Sequence, residues 1–269
     1  MSNNHKLYIG ATPIGNLSDI SDHLLIVLEN INYIFCEDTR VTQKLLDILN
    51  IQNKPKLISF YKFNENEQIN KAKEILAQDD VLLVSDAGYP NISDPGYGLV
   101  KYCVDNNVEM EVISGPCALI HALVKSGIST NTFMFLGFLN PKRNQQLIYF
   151  ENLINIKTTF IIYESVHKII NTLKNLSDIF PNNKMCVCKE LTKMHETFFY
   201  GNANEIINQL NDNNLKGEFV IIIDNNNVIE KENKWLEKAK KLKDMDLSNK
   251  TILEILLLDF PNNKNEIYS

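Results

Sequence analysis

Two aspartates, two glycines and two prolines share the segment Ser85-Asp86-Ala87-Gly88-Tyr89-Pro90-Asn91-Ile92-Ser93-Asp94-Pro95-Gly96, directly after the apolar run Val81–Val84. Glycine and proline make such a loop stiff and tightly turned. Carboxylates held there stand outside the carboxyl end of a strand, where an open α/β sheet binds its ligand. Asp94, immediately before Pro95, suits the N-cap of a helix beginning near Tyr97, whereas Asp86 is too early to cap it. The spacing therefore assigns Asp94 to the cap and Asp86 to a ligand.

Other polar clusters also follow apolar runs. Ala11-Thr12-Pro13-Ile14-Gly15-Asn16 stands where a nucleotide-binding fold puts its phosphate loop. Neither GxGxxG nor GxxxxGK[ST] occurs in the chain, so a dinucleotide or nucleoside-triphosphate site has no support. Glu37-Asp38-Thr39-Arg40 reads either as a helix start, with acids at its N-terminus, or as a site loop. Glu164-Ser165-Val166-His167 and Lys189-Glu190-Leu191-Thr192-Lys193-Met194-His195-Glu196 carry further acids, lysines and histidines. Any one of these is explained by a solvated loop. Four of them at strand ends point to a cleft between two domains. No loop offers a His/Cys/carboxylate set with ligand spacing, so no metal is expected.

The elements that must hold these loops are legible as apolar runs. Leu7–Ile9, Tyr33–Cys36, Leu57–Phe60, Val81–Val84 and Met110–Ile113 are mostly continuous, as parallel strands covered on both faces should be. Between them, Val41, Leu45, Ile48 and Leu49, and then Ile69, Ala72, Ile75 and Leu76, recur at helical spacing. Another helix is expected through Ala118–Leu123. The alternation predicts a parallel, doubly wound sheet over residues 1–127. Phe133–Leu136, Thr159–Tyr163, Met185–Cys188, Glu196–Tyr200 and Glu218–Ile223 predict a second sheet over 128–225. The short link from Cys188 to Glu196 requires an antiparallel pair, so this sheet is mixed. Residues 226–269 read as a lysine-rich helical tail.

The chain has 269 residues, enough for two domains, with 44% apolar and 22% charged residues. No apolar run approaches the roughly 18–20 residues that span a bilayer. Met1–Lys6 lacks the pattern of a signal peptide. The five cysteines lack disulfide or zinc spacing and read as reduced core thiols; Cys186 and Cys188 share one face of their strand. A cytoplasmic protein is expected. The net charge of −6 argues against a broad basic surface for nucleic acid. Basic residues are instead local, at Lys142 and Arg143 and at Lys234, Lys238, Lys240, Lys241 and Lys243 of the tail.

Taken in order, these motifs resemble the tetrapyrrole-methylase superfamily, and closely its bacterial branch of 16S ribosomal RNA (cytidine-2′-O)-methyltransferases. The resemblance is carried by Tyr8–Ile20, Glu37–Arg40, Leu83–Gly88 with Ile92–Gly96, Gly115-Pro116 with Ala118–Ile120, and Phe138-Leu139. It continues through Tyr163–Ser165 with His167, Lys189–Lys193 with His195-Glu196, and Lys216–Phe219, spanning about Leu7 to Ile223. Leu247-Ser248 and Asn265–Tyr268 are similar to the small helical domain that ends the branch. The resemblance implies two α/β domains, S-adenosyl-L-methionine bound in the cleft between them, and a homodimer. By position, its cofactor contacts would be Pro13, Asp86, Ala87, Gly88, Cys117, Ala118, Tyr163 and Gly217. Three departures stand out: Cys117 where the branch has Ser, the larger Tyr89 and Asn91, and a less basic Asn140-Pro141-Lys142-Arg143.

The implied reaction is 2′-O-methylation of a cytidine in the decoding region of 16S ribosomal RNA, within the small subunit. It needs alignment of a ribose hydroxyl and an acceptor for its proton. Glu37, Asp38, Glu164, Glu190 and His195 are candidate acceptors, and Lys189 could stabilise a developing alkoxide. Asp38, Lys189 and Glu190 are taken as catalytic, with Glu37, Arg40 and His195 holding the target. Two alternatives share the fold: a methyltransferase for a precorrin-like tetrapyrrole, against which the branch motifs Glu37–Arg40 and Lys189–Glu196 argue, and a ribosome-associated binding factor without catalysis.

Overall fold

The computed structural model describes residues 5–211, 215–226, 234–245 and 247–259. The motifs at Met1–Asn4 and Asn265–Tyr268 lie outside the described residues. Five strands, β1 (Lys6–Gly10), β2 (Tyr33–Cys36), β3 (Lys56–Ser59), β4 (Val81–Val84) and β5 (Glu109–Ile113), form a wholly parallel sheet in the order β3-β2-β4-β1-β5. The connecting helices cover both faces, which is why β4 is buried at every position. Helices α1 (Asp22–Asn30) and α2 (Thr39–Ile48) pack Leu24, Leu28 and Leu46 on Ile34, Leu82 and Ile113. On the other face α3 (Glu65–Leu76) and α4 (Tyr97–Asp105) pack Ala72, Leu76, Leu99 and Cys103 on Leu7, Phe35 and Leu83.

Helix α5 (Ala118–Lys125) leads into the second sheet: β6 (Phe133–Phe138), β7 (Thr159–Ser165), β8 (Met185–Lys189), β9 (Thr197–Gly201) and β10 (Glu218–Asp224). Its order is β6-β7-β10-β8-β9, with β6 and β7 parallel and every other pair antiparallel. The short link between β8 and β9 closes an antiparallel pair as its length requires. Helices α6 (Arg143–Leu153), α7 (Ile169–Ile179) and α8 (Ala203–Gln209) cover one face. The other face packs Ile161, Cys186, Cys188 and Ile222 on Leu119, Ala122 and Leu123 of α5. Cys186 and Cys188 lie on that face with their sulfurs 3.7 Å apart. The tail contributes α9 (Lys234–Asp244) and α10 (Asn249–Asp259), joined by the Lys238–Asp259 ion pair. Among the described residues no helix is long and apolar enough to cross a membrane.

Strand β6 carries a β-bulge. Phe135 pairs with Ile161, but Gly137, at φ +65°, pairs with Ile162, leaving Leu136 as an extra residue. In an unbroken ladder Phe138 would fall opposite Glu164. The bulge brings it opposite Tyr163, on the other face of the sheet.

The expectation that Asp94 caps a helix is not met. The N-cap of α4 is Gly96, at φ +143°, and it has no side-chain cap. The Glu65 carboxylate accepts the Gly96 and Gly98 N–H groups instead, at 3.3 and 3.2 Å, and the Asn91 N–H donates to the Pro95 carbonyl at 3.2 Å. The glycine's positive φ turns the chain after Asp94 too sharply for an Asp-Pro cap, and Asp94 faces a cavity.

Candidate active site

Loops from both sheets enclose a cavity of about 540 Å³, within the ~300–1,000 Å³ of small-molecule sites. The first sheet supplies Ile14, Glu37, Asp86–Tyr89 and Ile92–Asp94, and the start of α5 supplies Cys117 and Ala118. The second supplies Phe138, Tyr163–His167, Leu191 and Gly217–Val220.

Backbone bonding fixes these loops. β1 and β4 are neighbours, so the chains leaving them run side by side. Thr12 and Gly88 exchange both backbone hydrogen bonds, at 2.9 and 3.0 Å. The Thr12 hydroxyl donates to the Ser85 carbonyl at 3.1 Å, and the Ser85 hydroxyl donates to the Gly88 carbonyl at 3.2 Å. Gly88 sits at φ +77°, which glycine adopts without steric penalty. Across the cleft, the Tyr163 hydroxyl accepts the Leu119 N–H at 3.1 Å, tying β7 to the first turn of α5. Asn16 N–H donates to the Thr192 hydroxyl at 3.0 Å, a second tie between the two halves. Gly217, at φ +87°, leaves room for the Glu190 carboxylate, into which a Cβ would run. That carboxylate accepts from the Glu218 N–H at 3.1 Å and from Lys193 Nζ at 2.9 Å.

Of the acidic residues that line the cavity, Glu37, Asp86 and Asp94 bind their proton more tightly than usual. Burial lifts Asp94 to about 7, reinforced by the Glu37 charge and opposed by a bond from Ser85. Burial also raises Glu37, with the charges of Asp86 and Asp38 adding to it. Asp86 is raised by burial against the opposing Asp38 N–H, which donates to its Oδ1 at 3.0 Å. Tyr163 is pushed up by burial as well.

All the residues expected to contact the cofactor line this cavity except Pro13, the neighbour of the lining residue Ile14. Of those expected to hold or transform the target, Glu37 lines it, while Asp38, Arg40, Lys189, Glu190 and His195 do not. Asp38 is the N-cap of α2, its carboxylate accepting from the Arg40 N–H at 2.9 Å and pairing with the Arg40 guanidinium at 2.6 Å. Those bonds hold its carboxyl down at about 2. Lys189 is buried at the end of β8. Burial pushes Glu190 up, yet the Lys193 bond and the Glu218 N–H outweigh it and hold the carboxyl below its usual range. His195 lies in the turn between β8 and β9, where its carbonyl accepts the Thr197 hydroxyl at 3.0 Å. Glu164 is 2% exposed and already committed, accepting from the Thr172 hydroxyl at 2.7 Å and the Ser165 N–H at 2.8 Å. Sequence reasoning did not name Ser93, Glu218 or Val220 for the site. It assigned Asp94 elsewhere, although the Asp in Ser-Asp-Pro-Gly repeats the composition of the loop that does line the cavity.

The cavity lies between a parallel and a mixed sheet and is fed by several loops rather than one glycine-rich turn. The family model described as tetrapyrrole (corrin/porphyrin) methylases matches residues 6–207, and the chain belongs to that family. Among curated relatives, the ribosomal RNA small subunit methyltransferase I of Hydrogenobaculum sp. is 44% identical over 229 residues, covering 84% of this chain and 99% of the relative. The protein of the same name from Mycoplasma genitalium is 43% identical, covering 82% of this chain and 80% of the relative. That from Rickettsia prowazekii is 38% identical, covering 98% and 95%. Among solved structures, a diphthine synthase superposes with TM-score 0.63 at 11% identity, covering 82% of this chain and 89% of its own. A uroporphyrin-III-C-methyltransferase from Thermus thermophilus gives 0.57 at 14%, covering 83% and 96%. At those identities the structures share the fold.

The protein is an S-adenosylmethionine-dependent methyltransferase. The lining suits that methyl donor: Glu37, Asp86 and Asp94 present carboxyls to a sulfonium cation, and Ile14, Leu191 and Val220 supply apolar wall. Among the described residues no group of three or more His, Cys, Asp or Glu side chains is arranged to hold a metal ion.

Proposed function

We propose that this enzyme methylates the ribose 2′-hydroxyl of a cytidine in the decoding region of 16S ribosomal RNA. It would act on the small ribosomal subunit, in the cytoplasm and as a homodimer. The observation that carries the reading is the ordered motif set, together with the 44% identity to a relative named for small-subunit ribosomal RNA. In this reading residues 1–127 and 128–225 form the two halves of the cleft, and 226–269 an accessory tail.

S-adenosylmethionine, when bound, supplies an electrophilic methyl group on a sulfonium centre. The chain's part is to hold the ribose hydroxyl in line with it and to take the hydroxyl proton. Asp94 and Glu37 suit the second task, because both face the cavity and burial raises their affinity for a proton. Asp86 would act by bracing the loop after β2 through the Asp38 N–H. Asp38, a weak proton acceptor beside Arg40, would hold that guanidinium for a flanking phosphate. Glu190 bonds the backbone of the lining residue Glu218, so Glu190 and His195 would meet the RNA from the rim, with the buried Lys189 supporting that strand end. The net charge of −6 suits an assembled subunit, where shape and protein contacts supplement a local basic patch.

The test is methyl transfer from labelled S-adenosylmethionine to small subunits from a strain lacking the enzyme, followed by mass mapping of the RNA. One methyl on a cytidine ribose is the expected result. Methyl found on a base, or only on a precorrin-like tetrapyrrole offered in parallel, would refute the assignment. Binding to the subunit without transfer would point to the non-catalytic alternative.

A further inference from the structure

We infer that Phe138 is the stacking platform for the base of the nucleotide that receives the methyl group. The inference rests on the ribosomal RNA reading above and names a positioning residue for that substrate. Phe138 lines the cavity and is nevertheless 59% exposed, so it stands at the mouth and not in the core. Its location follows from the bulge in β6: with Leu136 inserted, Phe138 pairs with Tyr163 on the cavity face. With Leu136 paired in an unbroken ladder it would turn to the face that α6, α7 and α8 cover. Bulges beside active sites re-aim side chains as designed features, and this one places a phenyl ring at the cavity mouth, where a ligand could cover it.

The ring is also held in a defined orientation. It meets Tyr163 in a T-shaped contact, with centroids 5.7 Å apart and planes at 62°. Tyr163 is fixed in turn by its bond from Leu119 N–H and by Phe135, 4.8 Å away. An edge contact of this kind leaves ring surface free. Ile92, 41% exposed, is a second apolar side chain on the same cavity. The loop that carries it runs close to the bulge: a Cβ on Gly137 would lie 3.7 Å from the Ser93 hydroxyl. An aromatic ring and an aliphatic side chain on facing elements are what an unstacked base is held between. Lys142 follows four residues on, close enough in sequence to meet a flanking phosphate, while the Arg143 guanidinium beside it is paired with Asp178 at 2.6 Å. Stacking reads no base edge, so Phe138 would position the nucleotide without selecting cytidine.

The experiment compares the full chain with Phe138→Ala and Phe138→Tyr, using the same small subunits as substrate and calorimetry for S-adenosylmethionine. Loss of one base–aromatic stack should raise the KM for the subunit about tenfold or more. The cofactor Kd should stay within twofold, and Phe138→Tyr should restore the KM. Thermal unfolding of the variants checks that a half-exposed ring is removed without loss of fold. Wild-type KM in Phe138→Ala would overturn the inference. So would a parallel rise in cofactor Kd, since the ring would then stack on the adenine. If wild-type enzyme fails to methylate the subunit, the substrate reading fails instead, and the two failures are distinct.

Discussion

Asp94→Asn tests whether the cavity holds a carboxyl whose proton comes off near neutrality. Burial, reinforced by the Glu37 charge, lifts this group from 3.8 to about 7. At about 1.4 kcal/mol per tenfold in proton affinity, that climb is worth about 4 kcal/mol. Water reaching the open cavity screens the charge, which leaves about 2 kcal/mol. The folded protein holds this proton more tightly than the unfolded chain does. The associated stability is therefore fully present below about pH 4, declines as pH rises, and is gone above about pH 7, where both states are ionised. Asparagine carries no charge and escapes that decline. In urea unfolding of the free protein, the variant should gain about 2 kcal/mol on wild type between pH 4 and pH 8. Cofactor affinity gives a second readout, because a sulfonium favours the ionised carboxyl. It should rise through pH 7 in wild type and stay flat in the variant. A stability difference that does not change between pH 4 and pH 8 would refute the burial argument.

Asp86→Ala leaves the Asp38 N–H without its acceptor, so unfolding should become easier by about 1–2 kcal/mol and the cofactor Kd should rise; calorimetry and urea unfolding would both have to change. Gly217→Ala forces a side chain into the left-handed region and displaces the Glu190 carboxylate. It should cost about 1–2 kcal/mol, and a wild-type urea midpoint would argue against the close approach. The tail is best removed after Asn226, because the Asn225 side chain donates to the carbonyls of Leu153, Ile154 and Ile156. A chain ending there should bind small subunits more weakly, with a shallower dependence on salt; an unchanged slope in a filter-binding titration would remove the tail as a phosphate-binding surface.

The strands were legible because their burial is local and continuous. Val81–Val84 is apolar at each position and is covered on both faces, and the spacing of Cys188 and Glu196 left no room for a crossover. The loops after β4, before α5 and at the end of β7 could be read as one site because each follows such a strand. What could not be read depends on neighbours far away in the chain. Asp38 carries its N-cap role in Asp-Thr-Arg, but that Arg40 would occupy its carboxylate is a matter of side-chain conformation. Asp94 looked like a cap because Asp-Pro is a helix-start pattern. Its actual environment is set by Glu37, 57 positions earlier in the chain, and by burial under the second sheet. The bulge at Leu136 has no composition of its own beyond Gly137, since Phe-Leu-Gly-Phe serves equally well in a regular strand.

That bulge also bears on how such an enzyme can diverge. Because side chains alternate across a sheet, smoothing the bulge at unchanged length exchanges everything beyond it in β6 between the cavity and the helical layer, whereas deleting Leu136 leaves Phe138 opposite Tyr163. β6 is an edge strand with a single partner, so the exchange disturbs one ladder and leaves β7 and β10 in register. The mouth of the cleft can therefore be redrawn by a one-residue shift in the register of β6 while Tyr163 and Val220 keep their places on the cavity wall. On the proposed reading, substrate range and methyl-donor binding would then be set separately, the first by the register of an edge strand and the second by the loops of the interior ones.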